Sequence, residues 1–109
     1  RELVGFVHLS GLARGPAQTA FLGYWIAQAA NGRGYATEGV RLVVGYAFDR
    51  LRLHRVQAGV MPRNAGSLRV LEKVGFRREG LALRYLQIND VWEDHVILAV
   101  TAEEWPVVR

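Results

Sequence analysis

A chain of 109 residues, half of them hydrophobic, is long enough to bury one core and hardly two, so residues 1–109 read as a single domain. It contains no cysteine, which excludes a disulfide framework and a thiolate metal site, and His8, His54 and His95 are too dispersed for a metal cluster; no metal is expected. The formal charge of +4 is unevenly spread: from Arg33 to Arg84 there are eleven Arg or Lys against four acids, which points to an anionic partner, with solvated surface arginines as the plain alternative.

The first residues, "RELVGFVHLSG", alternate in charge where a leader would carry a basic flank and a long apolar core, and no apolar run approaches the roughly 18 residues of a membrane span. A cytosolic location fits. "ELVGFVHL" (2–9) and "TAFLGYWI" (19–26) alternate as strands do, separated by the Gly- and Pro-containing "SGLARGPAQ", and so predict a hairpin. Next comes "NGRGYATEG" (31–39), and after its glycines Ala36, Val40, Val43, Val44, Ala47, Phe48 and Leu51 fall on one face at helical spacing, predicting a helix from about Tyr35 to Arg52. "HRVQAGVM" (54–61) returns as a strand with Val56, Ala58 and Val60 on one side, so strand, helix and strand form a parallel βαβ unit.

"NAGSLRVLEKVGF" predicts a short helix with Asn64 as N-cap, Leu68, Leu71 and Val74 as its apolar stripe and Gly75 as a left-handed C-cap. "RYLQI" (84–88) and "VWEDHVILAV" (91–100) read as two strands around a tight turn at Asn89-Asp90. The order is β-β-α-β-α-β-β, an α/β (α+β) fold with a mixed sheet flanked by helices.

Gly32 and Gly34 keep side chains from standing between the main chain and a ligand, and the helix that begins near Tyr35 directs unpaired N–H groups outward; Arg33 adds a charge. This is an anion cradle, against the plainer reading of a glycine-rich turn that binds nothing. It is neither a Walker loop, which needs Gly-Lys followed by Ser or Thr, nor a dinucleotide fingerprint, which needs a third glycine in phase and a later acid.

Asn31-Gly32-Arg33-Gly34-Tyr35-Ala36 resembles the pyrophosphate loop of the GNAT acetyltransferase superfamily, Gln/Arg-x-x-Gly-x-Gly/Ala, departing from it in the shorter, uncharged Asn31. "GYWIAQAANGRGYATEGVRLVVGYAF", "NAGSLRVLEKVGFRREG" and "YLQINDVWEDHVILAVTAEEW" are similar to successive segments of the RimJ-like branch, which acetylates ribosomal-protein N-termini, and the likeness covers essentially the whole chain. It implies a mainly antiparallel sheet and transfer of acetyl from acetyl-coenzyme A to a primary amine without a covalent enzyme intermediate. Main-chain groups at Trp25, Ile26 and Ala27 would take the pantetheine arm where the sheet splays open, the amides of Gly32 to Ala36 (Arg33 alongside) would hold the pyrophosphate, and Asn64 and Ser67 would reach the arm or the thioester sulfur.

For the acid that meets the departing thiolate, the same similarity nominates Ser67, with Tyr85 as second candidate; the plain readings are a capped first turn and a packed strand residue. His8, Asp94 and His95 are weak candidates for a base, and adjacent strand residues 94 and 95 cannot line the same cleft. Base duty can fall to water, because a peptide α-amine, pKa about 7.7–8.0, is partly neutral near pH 7. Family members usually carry a strand, two helices and another strand before the hairpin that starts here, so a preceding segment or a second copy is expected to cover the edge of strand 2–9. The acceptor is expected to be a ribosomal-protein N-terminus, although Arg84 stands where that branch tends to carry an acid. Two rival readings are a coenzyme-A-binding domain without catalysis and a basic nucleic-acid module that stacks bases on Tyr24, Trp25 or Tyr35, the latter opposed by the habit of strand aromatics to be core.

Overall fold

A computed structural model of the chain describes residues 5–26 and 34–105. Alternating apolar residues place β1 (Gly5–Ala13) and β2 (Thr19–Ile26) in an antiparallel hairpin, with Phe6 opposite Trp25 and Leu9 opposite Leu22. The first strand runs farther than the alternation suggests, through Ala13, because a register shift between Ser10 and Ala13 lets it absorb Gly11 at positive φ. Residues 2–4 of the expected strand lie outside the described residues.

Helix α1 (Tyr35–Asp49) buries Val40, Val44, Ala47 and Phe48, the stripe its spacing predicts. It stops three residues short of Arg52. Arg50 caps it by donating its N–H to Tyr46 O, and Arg52 turns to φ +59, while Leu51 still packs on the core although it is no longer helical. Strand β3 (Arg55–Val60) buries Val56, Ala58 and Val60, and it runs parallel to β2, completing the βαβ crossover.

Helix α2 (Ala65–Val74) is bounded as its termini predict, by Asn64 at the start and by Gly75 at φ +124 at the end. Strand β4 then begins at Arg77 and continues to Ile88, seven residues earlier than Arg84. The stretch "RREGLA" carries no apolar alternation because it lies exposed at the sheet edge, paired with β5 through its backbone, and register shifts between Arg78 and Gly80 and between Ala82 and Leu86 break its period. Strand β5 (Val91–Thr101) follows a two-residue turn in which Asn89 and Asp90 both have positive φ, the signature of a type I′ hairpin.

The sheet order is β1-β2-β3-β5-β4, antiparallel except for β2 and β3, and β1 forms one edge. Opposite residues share a face, so Ala20, Leu22, Val56, Ala58, Leu98 and Val100 all point to the side that the two helices cover. That is the core. Phe6, Phe21 and Trp25 point the other way and are exposed.

Candidate functional site

The ladder between β2 and β3 consists of three residue pairs, Thr19–Arg55, Ala20–Val56 and Phe21–Gln57. Beyond Phe21, β2 stays with β1 as far as Ile26, while β3 stays with β5 as far as Val60. The sheet therefore opens into a gap at the C-terminal ends of two parallel strands, where main-chain groups are left for another partner. Trp25 and Ile26 end β2 at this gap; the side chain of Trp25 lies on the open face, its ring 5.9 Å from that of Phe6.

Gly34 is the N-cap of α1, with φ +78 and ψ 2, and no side chain caps the helix. A Cβ added at Gly34 would meet nothing within 4 Å among the described residues. The first intrahelical bond runs from Glu38 N to Gly34 O, which leaves the amides of Tyr35, Ala36 and Thr37 without an intrahelical acceptor. These amides and the helix dipole suit an anion. The remaining residues of the expected cradle, Ala27, Asn31, Gly32 and Arg33, lie outside the described residues.

The start of α2 is built differently. Asn64 Oδ1 accepts from the backbone N–H of Ser67 at 3.2 Å, so the asparagine oxygen is spent on its own helix. Ser67 Oγ lies 2.6 Å from the phenol oxygen of Tyr24, which projects from the core side of β2 in phase with Ala20 and Leu22. Burial pushes the Tyr24 phenol above its ordinary pKa, and the hydrogen bond to Ser67 pulls it partly back, so the phenol is protonated at neutral pH; either oxygen can be the donor of the pair. The alternation of β2 places Tyr24 on the core face, but nothing in the sequence alone pairs it with Ser67.

Tyr85 is on the opposite face. Its ring lies 5.6 Å from that of His95 and close to Gly59, where an added Cβ would come within 3.4 Å of it. His95 is buried, and its Nδ1 donates to Glu93 O at 3.0 Å, which makes it a packed tautomer rather than a solvated base. Asp94 points away from it and accepts the backbone N–H of Arg84 at 2.8 Å, holding the bulge where Arg84 takes φ +48. His8 stands on the open face over Gly23. Ser67 and Tyr85 are thus on opposite sides of the sheet, and of the three expected base candidates none lies beside Ser67.

Among the described residues, four arginines of the basic middle segment form ion pairs. Arg55 and Arg77 share Glu79, Arg77 also binds Glu104, Arg78 binds Glu72, and Arg63 forms a two-point pair with Glu93 at 3.2 and 3.0 Å. Tyr24 is half-buried and hydrogen-bonded, so it is not a free stacking platform.

The chain belongs to the acetyltransferase (GNAT) domain family, whose pattern it matches over residues 1–77. It is 59% identical over 99 residues to the probable N-acetyltransferase YjcK of Bacillus subtilis, covering 91% of this chain and 55% of that protein. It is 35% identical over 105 residues to the ribosomal protein uS5-alanine N-acetyltransferase of Escherichia coli, covering 96% of this chain and 54% of that one. Among solved structures, Mycobacterium smegmatis RimJ in complex with CoA-disulfide superposes with a TM-score of 0.93 at 41% identity, over 96% of this chain and 50% of that chain. The chain spans about half the length of the curated relatives it matches.

Proposed function

We propose that this protein transfers the acetyl group of acetyl-coenzyme A to a primary amine, with the N-terminal α-amine of a ribosomal protein as the acceptor. The observation that carries the reading is the start of α1 at Gly34, with no side-chain cap and close in sequence to the end of β2. RimJ of M. smegmatis, which superposes on this chain, was solved with a coenzyme A disulfide, and the E. coli relative is named for alanine acetylation of uS5. The cytosol is the compartment this reading implies.

The amides of Gly34, Tyr35 and Ala36, completed by Asn31, Gly32 and Arg33, hold the pyrophosphate. Charge-assisted contacts of this kind are each worth roughly 1.5–3 kcal/mol when desolvated. The ends of Trp25, Ile26 and Ala27 take the pantetheine arm by main-chain hydrogen bonds, and an amide at the gap polarises the carbonyl under attack. Acetyl-coenzyme A supplies the activated acyl group. Ser67, at the mouth of the gap on the helix side, protonates the leaving sulfur; Tyr85, on the other face, is the second choice. No strong base is needed for an α-amine, which is partly neutral near pH 7, whereas a lysine near 10.4 would require one.

Incubation of the full-length protein with acetyl-coenzyme A and a panel of peptide α-amines, lysines, polyamines and aminoglycosides, read by mass shift, tests this. We expect acetylation of peptides that begin with a small residue. Calorimetric binding of acetyl-coenzyme A with no transfer to any amine would instead mark a cofactor-binding domain without catalysis. Tight oligonucleotide binding that collapses as salt rises would mark a nucleic-acid module.

A further inference from the structure

We propose that Tyr24 is a positioning residue for Ser67: its phenol, beside the gap between β2 and β3, donates to Ser67 Oγ in the first turn of α2, and so turns the serine's own proton outward toward the departing sulfur. The inference rests on the acetyl-transfer reading above and goes beyond it, because it assigns the donor order within the pair.

The geometry carries the argument. A serine hydroxyl has one proton and two lone pairs, so a serine that gave its proton to Tyr24 would have none for the sulfur. Tyr24 has two acceptors within reach, Ser67 Oγ at 2.6 Å and Ser67 O at 3.5 Å, and the shorter contact is the real hydrogen bond. A phenol is a much stronger acid than an aliphatic alcohol, which makes Tyr24 the natural donor of the two. The main chain of Ser67 cannot turn away, because its N–H is tied to Asn64 Oδ1 at 3.2 Å. Tyr24 is itself fixed, packed against the core from a strand that β1 holds in register opposite Val7.

The step balances. As the amine nitrogen bonds to the carbonyl carbon and the C–S bond breaks, Ser67 Oγ gives its proton to the sulfur and takes one from Tyr24. Tyr24 recovers a proton from water, and the acetylated nitrogen releases one to water. The half-buried ring, whose phenol favours the protonated form, is reset after each turnover.

The test compares wild type, Tyr24→Phe, Ser67→Ala and the double variant of the full-length protein. Tyr24→Phe keeps the ring and its packing, which thermal melting checks. It should lower kcat about 10- to 100-fold with KM little changed, somewhat less than the roughly 100- to 10,000-fold typical of a lost acid. The double variant should be no slower than Ser67→Ala alone, since the two groups act as a unit. A second readout does not need turnover. At a pH near 9, where the coenzyme A thiol is partly ionised, calorimetry on coenzyme A and on desulfo-coenzyme A should show Tyr24→Phe weakening the first severalfold and leaving the second unchanged.

Equal kcat in wild type and Tyr24→Phe, multiplicative losses in the double variant, or equal weakening of both ligands overturns the inference while acetyl transfer by the wild type stands. If the wild type binds coenzyme A but transfers to no amine, the calorimetric comparison alone decides it. If the wild type does not bind coenzyme A, the functional reading falls and this inference with it.

Discussion

Gly34 and Asn64 begin two helices of the same small domain in opposite ways. Gly34 sits at φ +78 with no side chain to close the helix start, whereas Asn64 folds back on the N–H of Ser67. Replacing Gly34 with Ala places a Cβ in open space, so the cost is backbone strain alone, about 1–2 kcal/mol. Thermal melting should record that loss, and calorimetry should record weaker acetyl-coenzyme A binding, because helix α1 would start from a distorted turn. Asn64→Ala removes a cap and should cost about 1 kcal/mol by the same melting measurement. Because Ser67 would lose its anchor, we also expect a drop in kcat larger than that in Ala65→Ser, which touches no cap.

At the scale of elements, the first residues of β4 add ion pairs to its backbone ladder with β5. Arg55 Nη1 donates to Glu79 Oε2 at 2.9 Å, Arg77 Nη1 donates to the same oxygen at 2.6 Å, and Arg77 Nε reaches Glu104 at 2.6 Å. Glu104 in turn accepts the backbone N–H and the hydroxyl of Thr101, so β3, β4 and the end of β5 are tied together. Arg55, and then Arg77, hold the Glu79 carboxyl at about 2, down from an ordinary 4.5. A depressed carboxylate contributes stability that is present above its unfolded pKa and is lost as pH falls through its folded one. The contribution is therefore complete above the ordinary carboxylate range and fades toward pH 2, and solvent screening at this partly exposed cluster limits it to about 1 kcal/mol. Melting curves across that window should show Glu79→Gln destabilised at neutral pH and converging on wild type in acid. An acid profile of Glu79→Gln parallel to that of the wild type would show that the cluster contributes nothing. The same hairpin turns on Asn89 and Asp90 at φ +51 and +66, so Asn89→Val should cost about 1–2 kcal/mol and Asp90→Gly should be neutral or stabilising.

At the scale of the molecule, the core is one-sided: both helices pack on a single face, and Leu71, Leu98, Val44 and Val56 are fully buried there. Leu71→Ala should cost about 2–5 kcal/mol, because the cavity it leaves lies between α2 and the sheet. A ligand that bridges α1 and the opened strands binds only the folded state, so acetyl-coenzyme A at about 100 times its Kd should stabilise the protein by about 2.7 kcal/mol, seen as a raised Tm. An oligonucleotide should produce no comparable shift, since Arg55, Arg63, Arg77 and Arg78 of the middle segment are engaged by glutamates.

Local rules were enough for part of this. The burial of Val40, Val44, Ala47 and Phe48, the caps at Asn64 and Gly75 and the turn at Asn89-Asp90 follow from spacing and residue type, because each depends on neighbours a few positions away. The family was legible in motifs, and with it the opened sheet. What depended on distant partners was not: β4 begins at Arg77 because its backbone pairs there with Ala99 and Leu98 of β5, and Arg77 reaches Glu104 beyond that strand. The meeting of Tyr24 with Ser67, 43 positions apart, and the placement of Tyr85 on the far face are likewise products of the tertiary fold. Periodicity assigns a residue to a face, but contact between faces of different elements is set by strand order and register, which no single segment encodes.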